Sequence, residues 1–278
     1  MTKTEITLTP DAVAMTIGGS DPSGGAGIQA DRKAFQQNGV YGTSVLTLVT
    51  VQNTIELRSL TMVDPNQIRD QFDAVMNDLP PLAIKTGALG DAATVRLVAE
   101  LLTDFEGPII VDPVIVSKHG RSLADDDAVD AYREHLFPRA TLVTPNRHET
   151  GRLVGRVLDD LQSAVDAAGE LRTTGPRFVL IKAGSFDGSR EHVYADADRV
   201  VSIAVPDHDT DQTHGAGCSL SAVITARLAL AGGDRSAAMN DAVHFAVAAV
   251  NVAIAHAPGL GRGTGPIESR LLHLGRPT

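Results

Sequence analysis

The sequence has 278 residues, of which 43% are hydrophobic and 21% are charged, and its formal net charge at pH 7 is −10. A chain of this length and composition can bury one continuous core, so we expect a single α/β domain over residues 1–278, with 1–10 a loose N-terminal segment. The negative charge argues against nucleic acid or an anionic membrane surface as the main partner, because both bind clustered Lys and Arg.

Cysteine usage and the N-terminus bear on the cellular compartment. Cys218 is the single cysteine, which excludes an intramolecular disulfide and fits a reducing cytoplasm. The first ten residues lack the apolar stretch of a signal peptide, and apolar runs elsewhere are interrupted before the roughly 18 residues that a membrane span needs. We therefore expect a cytoplasmic protein that does not enter the membrane.

Short apolar segments alternate with longer helical patterns along the chain. The expected strands are Ala12–Ile17, Ser44–Val51, Leu82–Lys85, Pro108–Val111, Thr141–Thr144 and Phe178–Lys182. The expected helices are Ile28–Gln37, Pro65–Asn77, Ala92–Leu102, Asp126–Leu136, Asp160–Arg172, Ala216–Leu230 and Ala237–Ala255. This alternation predicts a mostly parallel sheet with helices on both faces, in which ligands bind where strands end and helices begin.

Three further segments read as edge strands. His192–Ala195 and Val200–Val205 predict an antiparallel hairpin, because a short polar turn separates two alternating runs. Arg58–Val63 predicts another edge strand, which could form a lid with Thr50–Thr54. An exposed edge near Thr50–Val63 makes a homodimer a reasonable expectation.

A glycine-rich segment, Gly18–Gly27, follows the first strand and runs into a helix. Its glycines allow close approach of backbone to a ligand, and exposed N–H groups there can hold an anion; a flexible turn is an equally good interpretation. Gly25–Ala30 also fits the dinucleotide pattern G-x-G-x-x-A, which would suit a Rossmann oxidoreductase. The second strand, however, ends in Gln52-Asn53 and not in the acidic residue that binds a ribose.

The segment Thr213–Cys218 opens a strongly apolar helix. Successive N–H groups at a helix start form a site for phosphate or for the charge on a transferring phosphoryl group. A thiol at that place is expected to have a lowered pKa. The alternative is an ordinary N-cap turn with a buried cysteine.

Polar residues also follow three other strands. Asp112 could hold Mg²⁺ through water, and Lys118 lies in a loop that could close over phosphates, although an Asp-Pro turn and a solvated lysine are the simpler interpretation. Asn146 and Glu149 share one side of a helical turn and could arrange a metal, form a capping box, or do both. Lys182 could reach a nucleotide phosphate, and the P-loop pattern is absent from the sequence.

Six motifs together strongly resemble the hydroxymethylpyrimidine and phosphomethylpyrimidine kinases of thiamine biosynthesis, within the ribokinase superfamily. The motifs are Thr16–Asp31, Gln52–Thr54, Lys85–Gly87, Asp112–Val114, Thr144–Asn146 and Thr213–Cys218, and the resemblance as a whole covers about Ala12 to Pro266. The resemblance implies a three-layer ribokinase-like α/β fold, ATP with Mg²⁺, and two successive phosphorylations of 4-amino-5-hydroxymethyl-2-methylpyrimidine.

By position in these motifs, the resemblance also implies roles for individual residues. Gly19, Asp31 and Gln52 match the pyrimidine site, and a glutamine amide can pair with a ring nitrogen and the 4-amino group. The anion hole and catalytic position correspond to Gly215, Ala216, Gly217 and Cys218. The nucleotide and metal region corresponds to Lys182, Asn146 and Glu149, so we expect Lys182, Asn146 and Thr213 to bind ATP and phosphate and Asp112 and Glu149 to bind the metal. Lys118 is a further expected phosphate-binding residue, from its place in the loop after Asp112.

Four residues depart from the family pattern. Gly18, Ala216 and Ala183 stand where Ala, Thr and Gly are usual, and Ala88 stands where a Met commonly lines the substrate pocket. A larger pocket at Ala88 keeps pyridoxal kinase activity, alone or beside the first, as the nearest alternative. A pyrimidine-binding regulator without catalysis is a third possibility.

Overall fold

The computed structural model describes residues 12–116, 124, 126–186, 189–231 and 235–273. The expected loose segment 1–10 and the loop residue Lys118 lie outside these ranges.

The described residues form one nine-stranded sheet in the order β3-β2-β1-β4-β5-β6-β7-β8-β9. The strands are β1 Val13–Ser20, β2 Tyr41–Gln52, β3 Leu57–Met62, β4 Ala83–Thr86, β5 Ile109–Val111, β6 Leu142–Val143, β7 Phe178–Phe186, β8 Ser189–Ala195 and β9 Val200–Val205. The six strands from β2 to β7 in this order are parallel, whereas β3, β8 and β9 pair antiparallel at the two sides. The expected parallel sheet, edge strand and hairpin are confirmed.

Helices cover both faces of the sheet. They are α1 Gly27–Gln37, α2 Pro65–Asp78, α3 Ala92–Leu101, α4 Asp126–Ala131, α5 Arg147–Val154, α6 Leu161–Arg172, α7 Ala216–Leu230 and α8 Arg235–Ala255. The helix expected over Asp126–Leu136 is α-helical only to Ala131 and continues as a π turn, Tyr132–Leu136. The following 3-10 turn contains Pro138, which cannot continue an α-helix.

Two apolar layers hold the sheet between the helices. Residues of α2 to α6 pack on one face, together with Met15 and Ile17 of β1. Residues of α1, α7 and α8 pack on the other face, together with Ala14. Because both faces are covered, the central strands are apolar almost without alternation.

Two helices of the second layer, α7 and α8, are unusually apolar. The window Ala238–Ala255 in α8 is long and apolar enough to span a membrane by length and composition, a test that buried core helices also pass. Met239, Val243 and Ala246 within it are buried against the same layer as α7.

Candidate active site

A cavity of about 610 Å³ lies where the parallel strands end and the helices α1, α5 and α7 begin. All the predicted site residues outside the undescribed Lys118 line it: Gly19, Asp31, Gln52, Ala88, Asp112, Asn146, Glu149, Lys182, Thr213, Gly215, Ala216, Gly217 and Cys218. The rule that ligands bind at carboxyl strand ends therefore identified the place. The roles of the individual residues stay predictions.

Two glycine-containing loops contact each other at the centre of the cavity. Gly215 has a φ of 78°, and a Cβ there would overlap the carbonyl oxygen of Gly25. A Cβ on Gly25 would in turn overlap the ring of His214. Glycine at both places allows the loop after β1 to lie directly against the start of α7.

The start of α7 presents backbone N–H groups to the cavity. Gly215 is the N-cap and supplies no side-chain oxygen to the first turn. The N–H of Ala216 bonds to Thr213 O at 3.2 Å, and the first helical bond runs from Ser219 N to Gly215 O at 2.8 Å. The N–H groups of Gly217 and Cys218 have no acceptor within the helix, so this turn, Thr213–Cys218, can accept an anion.

A buried ion pair lies beside this turn. Lys182 Nζ is 2.8 Å from Asp112 Oδ1, and Asp112 also accepts from Thr144 and Ser221 at 3.3 Å. Burial by itself would raise the pKa of Asp112, but Lys182 and Lys85 hold it below its ordinary value. The expected phosphate-binding lysine therefore lies in the cavity already paired with the expected metal-binding carboxylate.

Glu149 is held by the helix start that the sequence predicted. Asn146 and Glu149 form a full capping box, with Asn146 Oδ1 accepting from Glu149 N at 2.9 Å and Glu149 Oε2 accepting from Asn146 N at 2.7 Å. Burial raises the pKa of Glu149 to about 7, although Lys182 opposes the shift. His148, next to it, is exposed.

A second buried ion pair forms the floor of the cavity. Lys85 Nζ is 2.8 Å from Asp31 Oδ2, which also accepts from Thr16 at 2.7 Å. Asp31 is 1% exposed, and its Oδ1 is buried without a partner among the described residues. Burial by itself would lower the pKa of Lys85, but the charge of Asp31 raises it above its ordinary value. This lysine therefore stays charged.

The expectation of a lowered pKa for the Cys218 thiol is wrong. Burial raises its pKa to about 12, and the favourable charge of Lys85 and the N–H of Gly27 do not offset it. Asp31 and Asp112 add to the increase. The thiol is therefore protonated at neutral pH, because desolvation outweighs the helix start.

A polar cluster that the sequence analysis did not identify links three elements. His214 Nε2 lies 2.7 Å from Asp21 Oδ2 and 3.2 Å from Gln52 Nε2. Asp21 also accepts from Ser23 N, Ser23 Oγ and Ala26 N. Burial alone would raise the pKa of Asp21, but the bonds from His214 and Ser23 hold it below its ordinary value. Both His214 and Asp21 stand inside the motifs quoted above, which is the one signal that could have indicated them.

Near Gly19, the cavity is walled by small and aliphatic side chains. A Cβ built on Gly19 would lie 2.6 Å from Leu48 and 3.6 Å from Ala88. We call this region, with Gln52, the substrate arm. At Gly18, where the family usually has alanine, an added Cβ would meet only ordinary contacts of 3.5 Å or more.

The other end of the cavity, the outer arm, is lined by Val205, Val247, Val250, Asn251 and His192. Burial lowers the pKa of His192 to about 4, with Lys182 and Arg190 adding to the effect. Its Nδ1 is buried and has no hydrogen-bond partner among the described residues. Asn251 is held by His208 at 3.0 Å and by the carbonyl of Pro206 at 2.9 Å.

The arrangement suits transfer of a phosphoryl group. The N–H groups of the α7 turn and the ammonium group of Lys182 line the same part of the cavity. The substrate arm and the outer arm both open into that part. No cluster of three or more His, Cys, Asp or Glu that could hold a metal occurs within the described ranges. Asp112 and Glu149 nevertheless fit Mg²⁺ at a phosphate site, which takes one or two carboxylates and keeps several waters.

Comparison with known proteins gives one consistent family. The family model described as phosphomethylpyrimidine kinase matches residues 21–268. A hydroxymethylpyrimidine/phosphomethylpyrimidine kinase from Synechococcus elongatus is 40% identical over 92% of this chain and 96% of its own length.

Comparison with solved structures also finds similar kinases. The chain is similar to Bacillus subtilis pyridoxal kinase, solved as an ADP complex, with a TM-score of 0.86 and 31% identity over 95% of this chain and 99% of that one. It is also similar to Clostridium difficile phosphomethylpyrimidine kinase, with a TM-score of 0.73 and 32% identity over 86% and 99%. These likenesses confirm the expected ribokinase-like fold and phosphotransferase class, and with 248 consecutive residues inside the family model, the chain belongs to the phosphomethylpyrimidine kinase family.

Proposed function

We propose that this protein is an ATP-dependent kinase that phosphorylates 4-amino-5-hydroxymethyl-2-methylpyrimidine and then its monophosphate, in thiamine biosynthesis. The observation that carries the proposal is the meeting of the substrate arm with the N–H groups of the α7 turn. A small flat ring beside Gly19, Ala88 and Gln52 would direct its hydroxymethyl group toward Gly217 and Cys218.

The Gln52 amide suits an aminopyrimidine, because it can donate to a ring nitrogen and accept from the amino group. Asp31 is the floor residue beneath it, and its buried carboxylate, paired with Lys85, favours a ring that carries hydrogen-bond donors. Both features support an amino-substituted ring as the substrate.

The outer arm suits the nucleotide. Its valines provide apolar walls for a base, and Lys182 lines the same cavity beside the α7 turn, where the polyphosphate would run. The bound ADP named for the Bacillus subtilis relative supports a nucleotide in this fold. Asp112, Glu149 and the neighbouring Asn146 would hold Mg²⁺, whose chemistry is to neutralise charge on the phosphates.

The chain's own groups account for the transfer step. The substrate hydroxyl attacks the γ-phosphorus while the bond to the β-phosphate oxygen breaks, and charge on the equatorial oxygens is met by the N–H groups of Gly217 and Cys218 and by Lys182. Since the Cys218 thiol is protonated, it acts as a neutral neighbour of the hydroxyl, and the hydroxyl proton leaves late, to an oxygen of the transferred phosphoryl group.

The test is mass spectrometry of the products formed from ATP, Mg²⁺ and the aminopyrimidine alcohol. We expect the monophosphate first and the diphosphate later. Accumulation of the monophosphate alone would remove the second phosphorylation from the proposal, and absence of both products would refute the function.

Pyridoxal kinase activity is the second candidate, favoured by one observation. Ala88 leaves space in the substrate arm where a larger side chain would narrow it, and the similar Bacillus subtilis structure is a pyridoxal kinase. Steady-state rates with both alcohols separate the two: a higher kcat/KM for pyridoxal than for the aminopyrimidine would reverse our order.

Association of two chains is a separate proposal. Val49 and Val51 on β2 and Ile55 after it, beside the edge strand β3, are 42%, 50% and 49% exposed. A homodimer that covers this edge would remove apolar surface from water. Sedimentation of the wild type and a Val51→Lys variant tests it: a monomeric wild type would refute the dimer.

A further inference from the structure

The cluster formed by Asp21, His214 and Gln52 contains enough hydrogen bonds to determine where its protons lie. Asp21 Oδ2 accepts from Ser23 Oγ at 2.8 Å and from Ala26 N at 2.9 Å, and Oδ1 accepts from Ser23 N at 2.9 Å. Both oxygens are thus acceptors, and the group is a carboxylate.

A carboxylate can only accept, so the proton between Asp21 and His214 belongs to His214 Nε2. At 2.7 Å, a bare imidazole nitrogen would place its lone pair against the carboxylate oxygen. His214 Nε2 is therefore an N–H donor in both the neutral and the charged imidazole.

This assignment determines the orientation of Gln52. The Gln52 amide atom nearest His214 lies 3.2 Å from His214 Nε2. If that atom were the amide nitrogen, the NH2 group of Gln52 and the N–H of His214 would be two donors facing each other. A half-turn of the terminal torsion of Gln52 exchanges Oε1 and Nε2 in place, so that the single Nε2–H of His214, donated mainly to Asp21 Oδ2 at 2.7 Å, is shared with the amide oxygen at 3.2 Å in a three-centre bond. The amide oxygen then lies on the side of His214, and the amide NH2 group lies on the far side.

We propose that His214, held by Asp21, fixes the orientation of the Gln52 carboxamide and thereby selects a ring that carries an amino group beside the hydroxymethyl carbon. This inference rests on the proposed function and deepens it. The second lone pair of Oε1 accepts from the 4-amino group, and the NH2 group donates to the neighbouring ring nitrogen. The hydroxymethyl carbon next to the amino group then points toward the N–H groups of Gly217 and Cys218, in the same turn as His214.

A 4-oxo ring requires the opposite amide. Its oxygen must receive a donor, and its ring N–H must meet an acceptor, so Gln52 would have to turn its NH2 group toward His214. That would restore two facing donors in a largely buried cluster, where His214 and Asp21 are 3% exposed. His214 is thus a positioning residue that acts through Gln52 and does not itself contact the reacting atoms.

The experiment compares two alcohols, 5-hydroxymethyl-2-methylpyrimidine with a 4-amino or a 4-oxo substituent, in the wild type and two variants of similar side-chain length. His214→Gln retains an N–H donor that can reach both Asp21 and Gln52, whereas His214→Met has none. We expect the wild type to prefer the amino substrate by about 10² or more in kcat/KM. His214→Gln should stay within about threefold of that ratio, and His214→Met should reduce it at least about tenfold, because Gln52 can then turn either way.

Controls separate selectivity from damage. Ser23→Ala removes one bond to Asp21 without touching His214, and should leave the selectivity ratio unchanged. A merely structural role of His214 would lower kcat/KM for both alcohols in parallel, and a His214→Met variant with the wild-type ratio would overturn the inference.

A measurement on the wild type keeps the inference testable if His214→Met does not fold. Long-range ¹H–¹⁵N spectra at pH 7 to 8 should show His214 Nε2 protonated, and an unprotonated Nε2 would overturn the inference. Failure of the proposed function is recognised separately: a wild type that phosphorylates neither ring refutes both, while good turnover of both rings at similar rates refutes only the orientation of Gln52.

Discussion

The α7 turn and the outer arm belong to one cavity but are built from different groups. Around the turn, charged side chains are already paired: Lys182 with Asp112, and Lys85 with Asp31, of which only Lys182 keeps some solvent exposure. The outer arm consists of three valines, Asn251 and His192, a neutral residue whose Nδ1 has no partner in the described part of the chain.

This difference indicates that the two regions have separate roles, catalysis at the α7 turn and nucleotide binding in the outer arm. Paired charges hold their positions before any ligand arrives, so the turn is organised in advance for the charge that develops during transfer. An apolar arm gains its free energy only when a base displaces water from it. Changes at the turn should therefore lower kcat, and changes in the outer arm should raise KM for ATP.

The largest effect is expected for Lys182→Met. The variant removes a cation beside the α7 turn and leaves the Asp112 carboxylate buried without its partner. We expect kcat/KM to fall by about 10³ and the free energy of unfolding to fall by about 3 kcal/mol, measured by steady-state kinetics and denaturant titration.

Lys33→Met is the control for loss of one lysine. Lys33 is exposed and its Nζ bonds to the carbonyl of Gly24, outside the α7 turn. Its activity should stay within about twofold of the wild type. A Lys182→Met enzyme with more than a tenth of the wild-type kcat/KM would contradict the assignment of this cation to the transfer step.

A smaller effect is expected for Gly217→Ala, which adds one methyl group to the α7 turn. The new Cβ would lie 3.2 Å from Lys182 Nζ, tight enough to displace the ammonium group by a few tenths of an ångström. We expect kcat to fall about tenfold to a hundredfold with little change in KM for ATP.

Gly169→Ala in α6 is the matched glycine control, because nothing lies within 4 Å of its added Cβ. This variant should keep full activity and gain about 0.5 to 1 kcal/mol of stability, since alanine favours the helix. Equal kinetics of the two variants would show that the space around Gly217 is not critical.

Much of this architecture could be predicted because the relevant signals are local. The alternation of apolar strands and helical patterns predicted the parallel sheet, and the start of α7 at Ala216 was placed correctly. The capping box of Asn146 and Glu149 could be predicted because its two members are three residues apart.

Features that arise only in the folded chain could not be predicted from the sequence. His214 is separated by 162 residues from Gln52 and by 193 from Asp21, so only the fold brings them together. The pKa of Cys218 was predicted in the wrong direction because the helix start can be read from sequence and the desolvation cannot. The outer arm combines residues of β8, β9 and α8 that share no motif.

The thiol gives the third prediction, in which the effect on turnover is modest. Since the Cys218 pKa is raised to about 12, Cys218→Ala should keep kcat within about tenfold, and wild type and variant should have kcat–pH profiles of the same shape from pH 6 to 9. A rise of kcat with pH present only in the wild type would contradict a protonated thiol.

The same thiol has a consequence for stability. The folded chain holds the thiol proton more tightly than the unfolded chain, whose pKa is near 9. Relative to Cys218→Ala, the wild type should therefore lose stability only as the pH rises above about 9. Thermal melts at pH 7 and pH 10 measure the difference, and an equal difference at both would refute the raised pKa.

The smallest effect is expected in the outer arm, for His192→Leu. The substitution keeps the apolar wall and removes the polar imidazole from the cavity lining, so KM for ATP should rise about threefold to fivefold while kcat is unchanged. His192 has a pKa of about 4 against an ordinary value of 6.5, so the unfolded chain binds its proton first as the pH falls. The wild type should therefore lose stability relative to His192→Leu as the pH falls from about 6.5 to 4, and not above that window. Nucleotide titration by calorimetry and denaturant melts at pH 5 and 7.5 measure both quantities. A loss of kcat with unchanged KM would show that the outer arm takes part in the transfer itself, and would break the separation of binding from catalysis along this cavity.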